Sequence, residues 1–325
     1  MATALATLMS LPTVPLAAGP SPIHPMDRLR TALGPRCPKL LVKRDDLLSF
    51  ACGGNKVRKM EAIAAEAAAA GADTLITCGG LQSNHARVTA AAGALRGLDV
   101  VLVLNGAPPA RPAGNVLLDT LFGAEIRYVS SRTERTAAME AAAEQLRSAG
   151  KRPFIIPLGA STATGALGFA RGLAEVPAAG VKPTVIVHST SSCGTQAGMV
   201  AGSSLLGLQT RVVGVSADAD AASIQADVLA LLRQMASRLG ATASTIGADR
   251  AIEVDDRFVG DGYGIPTAAS AEALSLAARH EGIVLDPVYT AKALAGLIGR
   301  IRNGEISEDE TVLFWHTGGV PGLFA

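Results

Sequence analysis

Thr74-Leu75-Ile76-Thr77-Cys78-Gly79-Gly80-Leu81-Gln82-Ser83-Asn84-His85-Ala86-Arg87 reads as a strand, a glycine turn and the opening of a helix. Thr74 to Thr77 is a β-rich run, and Ser83 stands as the N-cap of a helix over Asn84 to Arg96. From residue 40 onward this unit repeats, apolar β-rich runs alternating with longer alanine-rich segments of helical period. That alternation predicts an α/β fold with wound parallel sheets. Before it the spacing predicts a strand at Leu40–Lys43 and a helix over Asn55–Ala70. After it come strands at Val100–Leu104, Glu125–Val129 and Pro153–Ile156, with helices at Asn115–Phe122, Glu134–Ser148 and Ala163–Ala174 between and beyond them. The β-branched run Thr184–Val187 reads as a central buried strand. The second half continues with helix Thr195–Leu206, strand Arg211–Val215, helices Ala221–Leu239, Ala269–His280 and Thr290–Arg302, and strand Thr311–Trp315. Ile252 to Pro266 has no helical period and is rich in glycine and aspartate, a segment suited to line a site.

Ligands bind at the carboxyl ends of parallel strands, and four unusual segments follow strands or open helices there. In Gly53-Gly54-Asn55-Lys56-Val57-Arg58-Lys59 a glycine pair opens an alanine-rich helix and sets Lys56 in its first turn. An amine beside other cations, at the positive end of a helix dipole, is pushed toward its neutral, nucleophilic form, which imine formation requires. The other reading is a solvated lysine at a helix start. Ser189 to Gly198 stands between a buried strand and a helix, as a phosphate cradle or a serine-rich cap. No GxxxxGK[ST] occurs and no strand is followed by GxGxxG, which disfavours nucleotides. Ser83, Asn84 and His85 are three polar side chains at the end of a buried strand, costly there without a ligand, although a capping serine is ordinarily structural. Only three tyrosines occur. Tyr263, in a Gly/Pro turn, suits a stacking or acid/base role. Tyr289 either shares that role or packs beneath the following helix. Thr317, in Trp315-His316-Thr317-Gly318-Gly319, meets a cofactor ring nitrogen or caps a turn.

The composition of the 325-residue chain, 49% hydrophobic and 18% charged, is that of a soluble globular protein. Single cores stop growing near about 250 to 300 residues, so two domains or one large α/β unit are expected. A net charge of +1 and no run of Lys or Arg argue against nucleic-acid and membrane partners. Cys37, Cys52, Cys78 and Cys193 form no CxxC pair or metal ladder, so no metal site is expected, and reduced thiols in the cytoplasm are. The first twenty residues lack a basic segment and contain Pro12, Pro15 and Pro20, which points to a frayed arm and not a signal peptide. No apolar run reaches the ~18 residues of a membrane span.

Lys43-Arg44-Asp45-Asp46, Gly53 to Lys59, Gln82-Ser83-Asn84-His85, Cys193 to Gly198, Gly262-Tyr263-Gly264, Leu285-Asp286-Pro287-Val288-Tyr289 and His316-Thr317-Gly318-Gly319 together resemble one family. It is the pyridoxal-phosphate family containing D-cysteine desulfhydrase and 1-aminocyclopropane-1-carboxylate deaminase, and the resemblance runs from about Pro22 to the carboxyl terminus. It implies the tryptophan-synthase-like fold, type II among pyridoxal-phosphate enzymes, as a homodimer. The expected division is residues 1–50 with 163–325 as the larger, cofactor-binding domain and 51–162 as the smaller. By resemblance, Lys56 is the Schiff-base lysine, Lys59 a phosphate contact, and Ser192, Cys193, Gly194 and Thr195 the phosphate loop. Ser83 resembles the residue that holds the substrate carboxylate or assists proton transfer, and Asn84 the one against the cofactor ring. His85 joins them as a substrate contact, and Tyr263 and Tyr289 match two active-site tyrosines.

The deaminase pattern has glutamate after the second tyrosine and glutamine after Ser-Asn; Thr290 and His85 here follow the desulfhydrase branch. A neutral hydroxyl at the pyridine nitrogen, from Thr290 or Thr317, makes a weaker electron sink than a carboxylate, which suits β-elimination. Cys193 stands where the family has glycine, and Ala291 where it often has glycine. The expectation is a lyase acting on D-cysteine or a close analogue to give pyruvate, ammonia and sulfide. Alternatives are the ring-opening deaminase, an L-cysteate sulfo-lyase and a catalytically silent amino-acid-binding protein.

Overall fold

The computed structural model describes residues 1–325. Its strands, in chain order, are β1 (Ile23–Pro25), β2 (Lys39–Arg44), β3 (Thr74–Gly80), β4 (Asp99–Asn105), β5 (Glu125–Val129), β6 (Pro153–Ile155), β7 (Val185–Thr190), β8 (Arg211–Ser216), β9 (Glu253–Asp255) and β10 (Thr311–His316). They form two sheets, one ordered β1-β2-β10-β7-β8-β9 and the other β5-β4-β3-β6. Every pairing is parallel except that of β1 with β2. Helices cover both faces of the parallel strands, and all six residues of β7 are buried, apolar at Val185–Val187 and polar at His188–Thr190 where the strand ends.

Helices with small residues on their contact faces cover the sheets. Asn55–Ala69 packs on Ala163–Leu173, which packs in turn on Gly194–Leu205. A Cβ on Gly168 would lie 2.6 Å from the Arg58 carbonyl oxygen, and one on Gly198 2.6 Å from that of Ala166. These glycines let helix backbones touch, and so bring the helix of Lys56 close to the helix of the serine-rich loop.

A buried ionic cluster ties the Lys56 helix to the six-stranded sheet. Arg58 donates through Nε and Nη2 to the two Asp45 oxygens, at 2.8 Å each, and through Nη1 to Glu175 at 2.6 Å. Lys43 donates to Glu175 at 2.5 Å, and the Trp315 indole to Asp45 at 2.8 Å. Burial alone would raise the Asp45 carboxyl; Arg58 overrides it and holds the group below the usual carboxylate range.

Three parts of the chain differ from the sequence expectation. The N-terminal arm is not frayed: Ala2–Ser10 is a helix whose Ala4 and Leu8, one turn apart, enter the main core, and the three prolines follow it. Before residue 40, β1 pairs with β2, and a helix spans Asp27–Leu33. Within Ile252–Pro266, three residues form the edge strand β9, and the irregular remainder carries Tyr263. No helix is long and apolar enough to cross a membrane.

Candidate active site

The carboxyl ends of β3, β7 and β10 and the start of the helix Asn55–Ala69 surround a cleft open to solvent. Only four of its 22 lining residues are hydrophobic, so it suits a polar ligand. Gly53 and Gly54 have φ of +64° and +104°, and the Asn55 amide donates to the Thr317 carbonyl oxygen at 3.0 Å. A Cβ on Gly318 would sit 2.6 Å from the Gly54 Cα, so this turn and the one after β10 meet backbone to backbone.

That contact sets Lys56 in the cleft. Its Nζ lies 3.4 Å from Ser192 Oγ and 3.5 Å from the Gly159 carbonyl oxygen, and burial pushes its amine down to about 8. Lys59, one turn on, is fully buried and does not line the cleft. Its Nζ donates to the Gly159 carbonyl at 3.1 Å and to Ser161 Oγ at 3.3 Å. A Cβ on Gly194 would lie 2.6 Å from that Nζ, so the ammonium sits directly beneath the serine-rich loop. Burial and repulsion from Lys56 hold Lys59 well below lysine's usual range.

Ser83 caps its helix by accepting the Ala86 amide at 3.2 Å while its side chain lines the cleft. A Cβ on Gly79 would strike Ser83 Oγ at 2.4 Å, which explains the glycine before it. Asn84 Oδ1 accepts from Arg87 at 2.8 Å and from Asn115 at 3.1 Å, and its amide nitrogen has no protein partner. Arg87 also donates to the Gly53 carbonyl at 2.8 Å, linking Asn84 to the turn before Lys56. His85 is 2% exposed at the cleft wall, with Nε2 2.8 Å from Thr77 Oγ1. Burial, then Lys56 and Lys59, push it well below the usual histidine range, so it is a neutral imidazole.

Between β7 and its helix, Ser189, Thr190, Ser191, Ser192, Cys193 and Thr195 line the cleft, whereas Gly194 lies behind them over Lys59. The Ser189 and Thr190 hydroxyls are buried with no protein partner. Unsatisfied hydroxyls beside the N-terminal amides of a twelve-residue helix, over a lysine, make a cradle for an anion. Cys193 adopts φ +64°, a conformation that favours glycine, and its thiol turns to the Ser191 carbonyl, where burial pushes it up to about 12. Thr195 accepts from Asn55 Nδ2 at 2.8 Å.

The Tyr263 and Tyr289 hydroxyls are 2.6 Å apart, with ring centroids 5.9 Å apart and edge to face. Burial raises both phenols, Tyr289 well above its usual value, so both are neutral. Of the two candidate threonines, Thr317 lines the cleft with its hydroxyl unpaired. Thr290 does not reach the cleft: fully buried, its Oγ1 donates to Asp286 Oδ1 at 2.6 Å and accepts the Asp286 amide at 2.8 Å. It belongs to the cap that orients Tyr289, whose own amide donates to Asp286 at 2.8 Å.

Three charged residues of the cleft, Arg132, Arg135 and Asp218, carried no signal in sequence.

A family model described as pyridoxal-phosphate dependent enzyme matches residues 14–318. D-cysteine desulfhydrase of Salmonella choleraesuis (strain SC-B67) is 38% identical over 327 residues, which cover 98% of this chain and 97% of that protein. The D-cysteine desulfhydrase of Salmonella typhi is 38% identical over 329 residues with the same coverage. A crystal structure described as an ACC deaminase homologue superposes with a TM-score of 0.91 at 35% identity, over 100% of this chain and 97% of that one. Threonine deaminase isoform 2 from Solanum lycopersicum, at 15% identity and a TM-score of 0.70, covers 97% of this chain and shares the fold. The residues present fit the cofactor: the unsatisfied Ser189 and Thr190 hydroxyls and the helix N-terminus suit a phosphate, and the Lys56 amine an aldehyde. The chain belongs to the pyridoxal-phosphate-dependent enzymes, with their type II fold and pyridoxal 5'-phosphate as cofactor.

Proposed function

We propose that the protein is a lyase that removes the β-substituent of D-cysteine or a close analogue, giving pyruvate, ammonia and sulfide. The observation that carries this reading is the meeting of a neutral-leaning Lys56 amine, the Ser83 and Asn84 helix start, the paired phenols and the free Thr317 hydroxyl in one cleft. The full-length relatives named D-cysteine desulfhydrase support it. Pyridoxal 5'-phosphate supplies an electron sink conjugated to the substrate Cα. Lys56 would hold it covalently, Ser189, Thr190 and Ser192 to Thr195 its phosphate with Lys59 beneath, Asn84 its ring, and Thr317 its ring nitrogen. Ser83 and the amides behind it bind and orient the substrate carboxylate, with His85 packed beside them. Lys56, as a free amine, takes the Cα proton at Nζ. The Cβ–S bond then breaks with its electron pair leaving on sulfur, and the Tyr263–Tyr289 pair holds a proton at the phenol oxygens for that departure. A hydroxyl at Thr317, in place of a carboxylate, keeps the sink weak enough to favour elimination.

The test is a panel of D- and L-cysteine and 1-aminocyclopropane-1-carboxylate with keto-acid and sulfide detection. Pyruvate and sulfide from D-cysteine are expected, with a loss on the order of 10³-fold in Lys56→Ala. Pyruvate formation untouched in that variant would sink the reading. The ACC deaminase homologue favours a second reading, ring opening, which predicts 2-oxobutanoate from the cyclopropane substrate. We further infer a homodimer in the cytoplasm, built from residues 1–50 with 163–325 and residues 51–162. Four free thiols support the reducing compartment, and strands 74–155 sharing their own sheet support the division.

A further inference from the structure

Tyr263 stands on a stretch with little structure of its own. Between Asp256 and Thr267 there is no helix or strand, and Gly260, Gly262 and Gly264 adopt φ of +66°, +139° and +79°. Its internal backbone bonds are long, the Val259 amide reaching the Asp256 carbonyl oxygen at 3.3 Å and the Ile265 amide that of Gly262 at 3.4 Å. The Tyr263 phenol nevertheless meets Tyr289, at the start of the helix Thr290–Arg302, with 2.6 Å between the hydroxyls. That helix holds the stretch at two points. A Cβ on Gly299 would lie 2.5 Å from Phe258 Cζ, so the glycine admits that ring against the helix. One turn after Tyr289, Lys292 is fully buried outside the cleft, and its Nζ donates to the Val259 carbonyl oxygen at 2.7 Å and to that of Gly262 at 2.9 Å. A third carbonyl oxygen, of Ala217, lies at 3.4 Å.

All three acceptors are neutral peptide oxygens, and Lys292 forms no ion pair. Burying an ammonium against peptide oxygens alone is costly beside an apolar side chain of the same size, so packing does not account for the charge. Two of the three oxygens belong to peptide groups that lead directly into cleft residues. The Gly262 carbonyl precedes Tyr263, and the Ala217 carbonyl precedes Asp218, whose carboxylate accepts from Ser191 of the anion cradle at 3.1 Å. One cation on the helix of Tyr289 therefore fixes the backbone from which Tyr263 projects. Resting on the elimination reading above, we propose that Lys292 is a positioning residue for the leaving group's proton, acting by holding Tyr263 against Tyr289. A thiolate leaving unprotonated would carry two charges. As the Cβ–S bond breaks, its electron pair stays on sulfur, a phenol proton joins the sulfur to give hydrosulfide, and water returns a proton to the phenolate. Without the ammonium, the stretch keeps Phe258 on the helix and the Arg132 guanidinium 4.7 Å from the Tyr263 ring centroid, and neither fixes the phenol oxygen.

The test compares D-cysteine with β-chloro-D-alanine, whose chloride leaves without a proton, on the cofactor-saturated protein. Lys292→Met is expected to lower kcat for D-cysteine on the order of 30-fold or more and to change that for β-chloro-D-alanine by less than about 3-fold. Lys292→Gln, which keeps two N–H donors, should recover part of the loss, and carries the same comparison if the methionine variant does not fold. Added to Tyr263→Phe, Lys292→Met should cost less than about 3-fold further on D-cysteine, because both changes remove one interaction. Amide hydrogen exchange read by mass spectrometry should rise at least about tenfold in residues 256–266 of the Lys292 variants and stay unchanged around Lys56. Equal losses on the two substrates, a full additional loss in the double variant, or unchanged exchange in 256–266 would each overturn the proposal. No keto acid from either substrate in the unmodified protein, with exchange in 256–266 still raised by the substitution, would instead remove the elimination reading and keep Lys292 as the tether of Tyr263.

Discussion

Asp119 is fully buried and neither carboxylate oxygen has a hydrogen-bond partner; burial raises it to about 7, with Arg87 opposing. In the unfolded chain the group titrates near 3.8, so between 3.8 and about 7 the folded form holds the extra proton. Stability from this residue is therefore present below 3.8 and falls as pH rises through that window. Asp119→Asn should flatten the dependence and raise the denaturation midpoint at pH 8, by roughly 1–3 kcal/mol, read by urea titration at both pH values. Thr290 and Thr317 make a second contrast between single residues. Thr290→Val breaks the Asp286 cap and should cost about 1–3 kcal/mol of stability. Thr317→Val leaves the fold intact and should lower kcat/KM about tenfold, which parallel denaturation and rate measurements separate. Sequence left those two threonines equivalent, since a hydroxyl beside a glycine turn and one at a helix start look alike until the side chain is placed.

Among the elements, the three helices stacked at Gly168 and Gly198 decide how near Lys56 comes to the serine-rich loop. Gly198→Ala would set a methyl 2.6 Å from the Ala166 carbonyl oxygen and 3.0 Å from the Phe169 Cβ, both parts of a fully packed core. The expected cost is about 1–3 kcal/mol in the denaturant midpoint, together with weaker cofactor binding by equilibrium dialysis. Longer elements were legible in sequence: the helix Asn84–Arg96 is an alanine-rich run between the Ser83 cap and the left-handed Gly97, and the strand at Glu125–Val129 falls where a β-rich run puts it. Shorter pieces were not, because a three-residue strand such as Glu253–Asp255 has no period to read and exists only through pairing with β8. The helix Ala2–Ser10 was hidden by the prolines after it and becomes visible only against the core that covers Ala4 and Leu8. In the cleft, motif residues such as Lys56 and Ser83 were readable. Arg132, Arg135 and Asp218 were not, since only the fold carries them to its walls.

Over the whole molecule, the Lys43–Glu175–Arg58–Asp45 cluster joins the lysine-bearing helix to strands β2 and β10. Removing one partner leaves an uncompensated buried charge, so Arg58→Leu should cost about 3–5 kcal/mol, measured by denaturation with and without cofactor. A larger loss in the cofactor-loaded protein than in the cofactor-free protein would show that the cluster also sets the position of Lys56. Trp315 is the only tryptophan in the chain. Its indole is fully buried, donates to Asp45, and has Arg58 and Lys43 5.9 Å and Phe169 5.4 Å from its ring, one residue before His316-Thr317. The molecule thus carries a single built-in fluorophore behind its own reaction centre, and emission from that one residue is an optical gauge of when the cleft fills and of when the helix of Lys56 shifts.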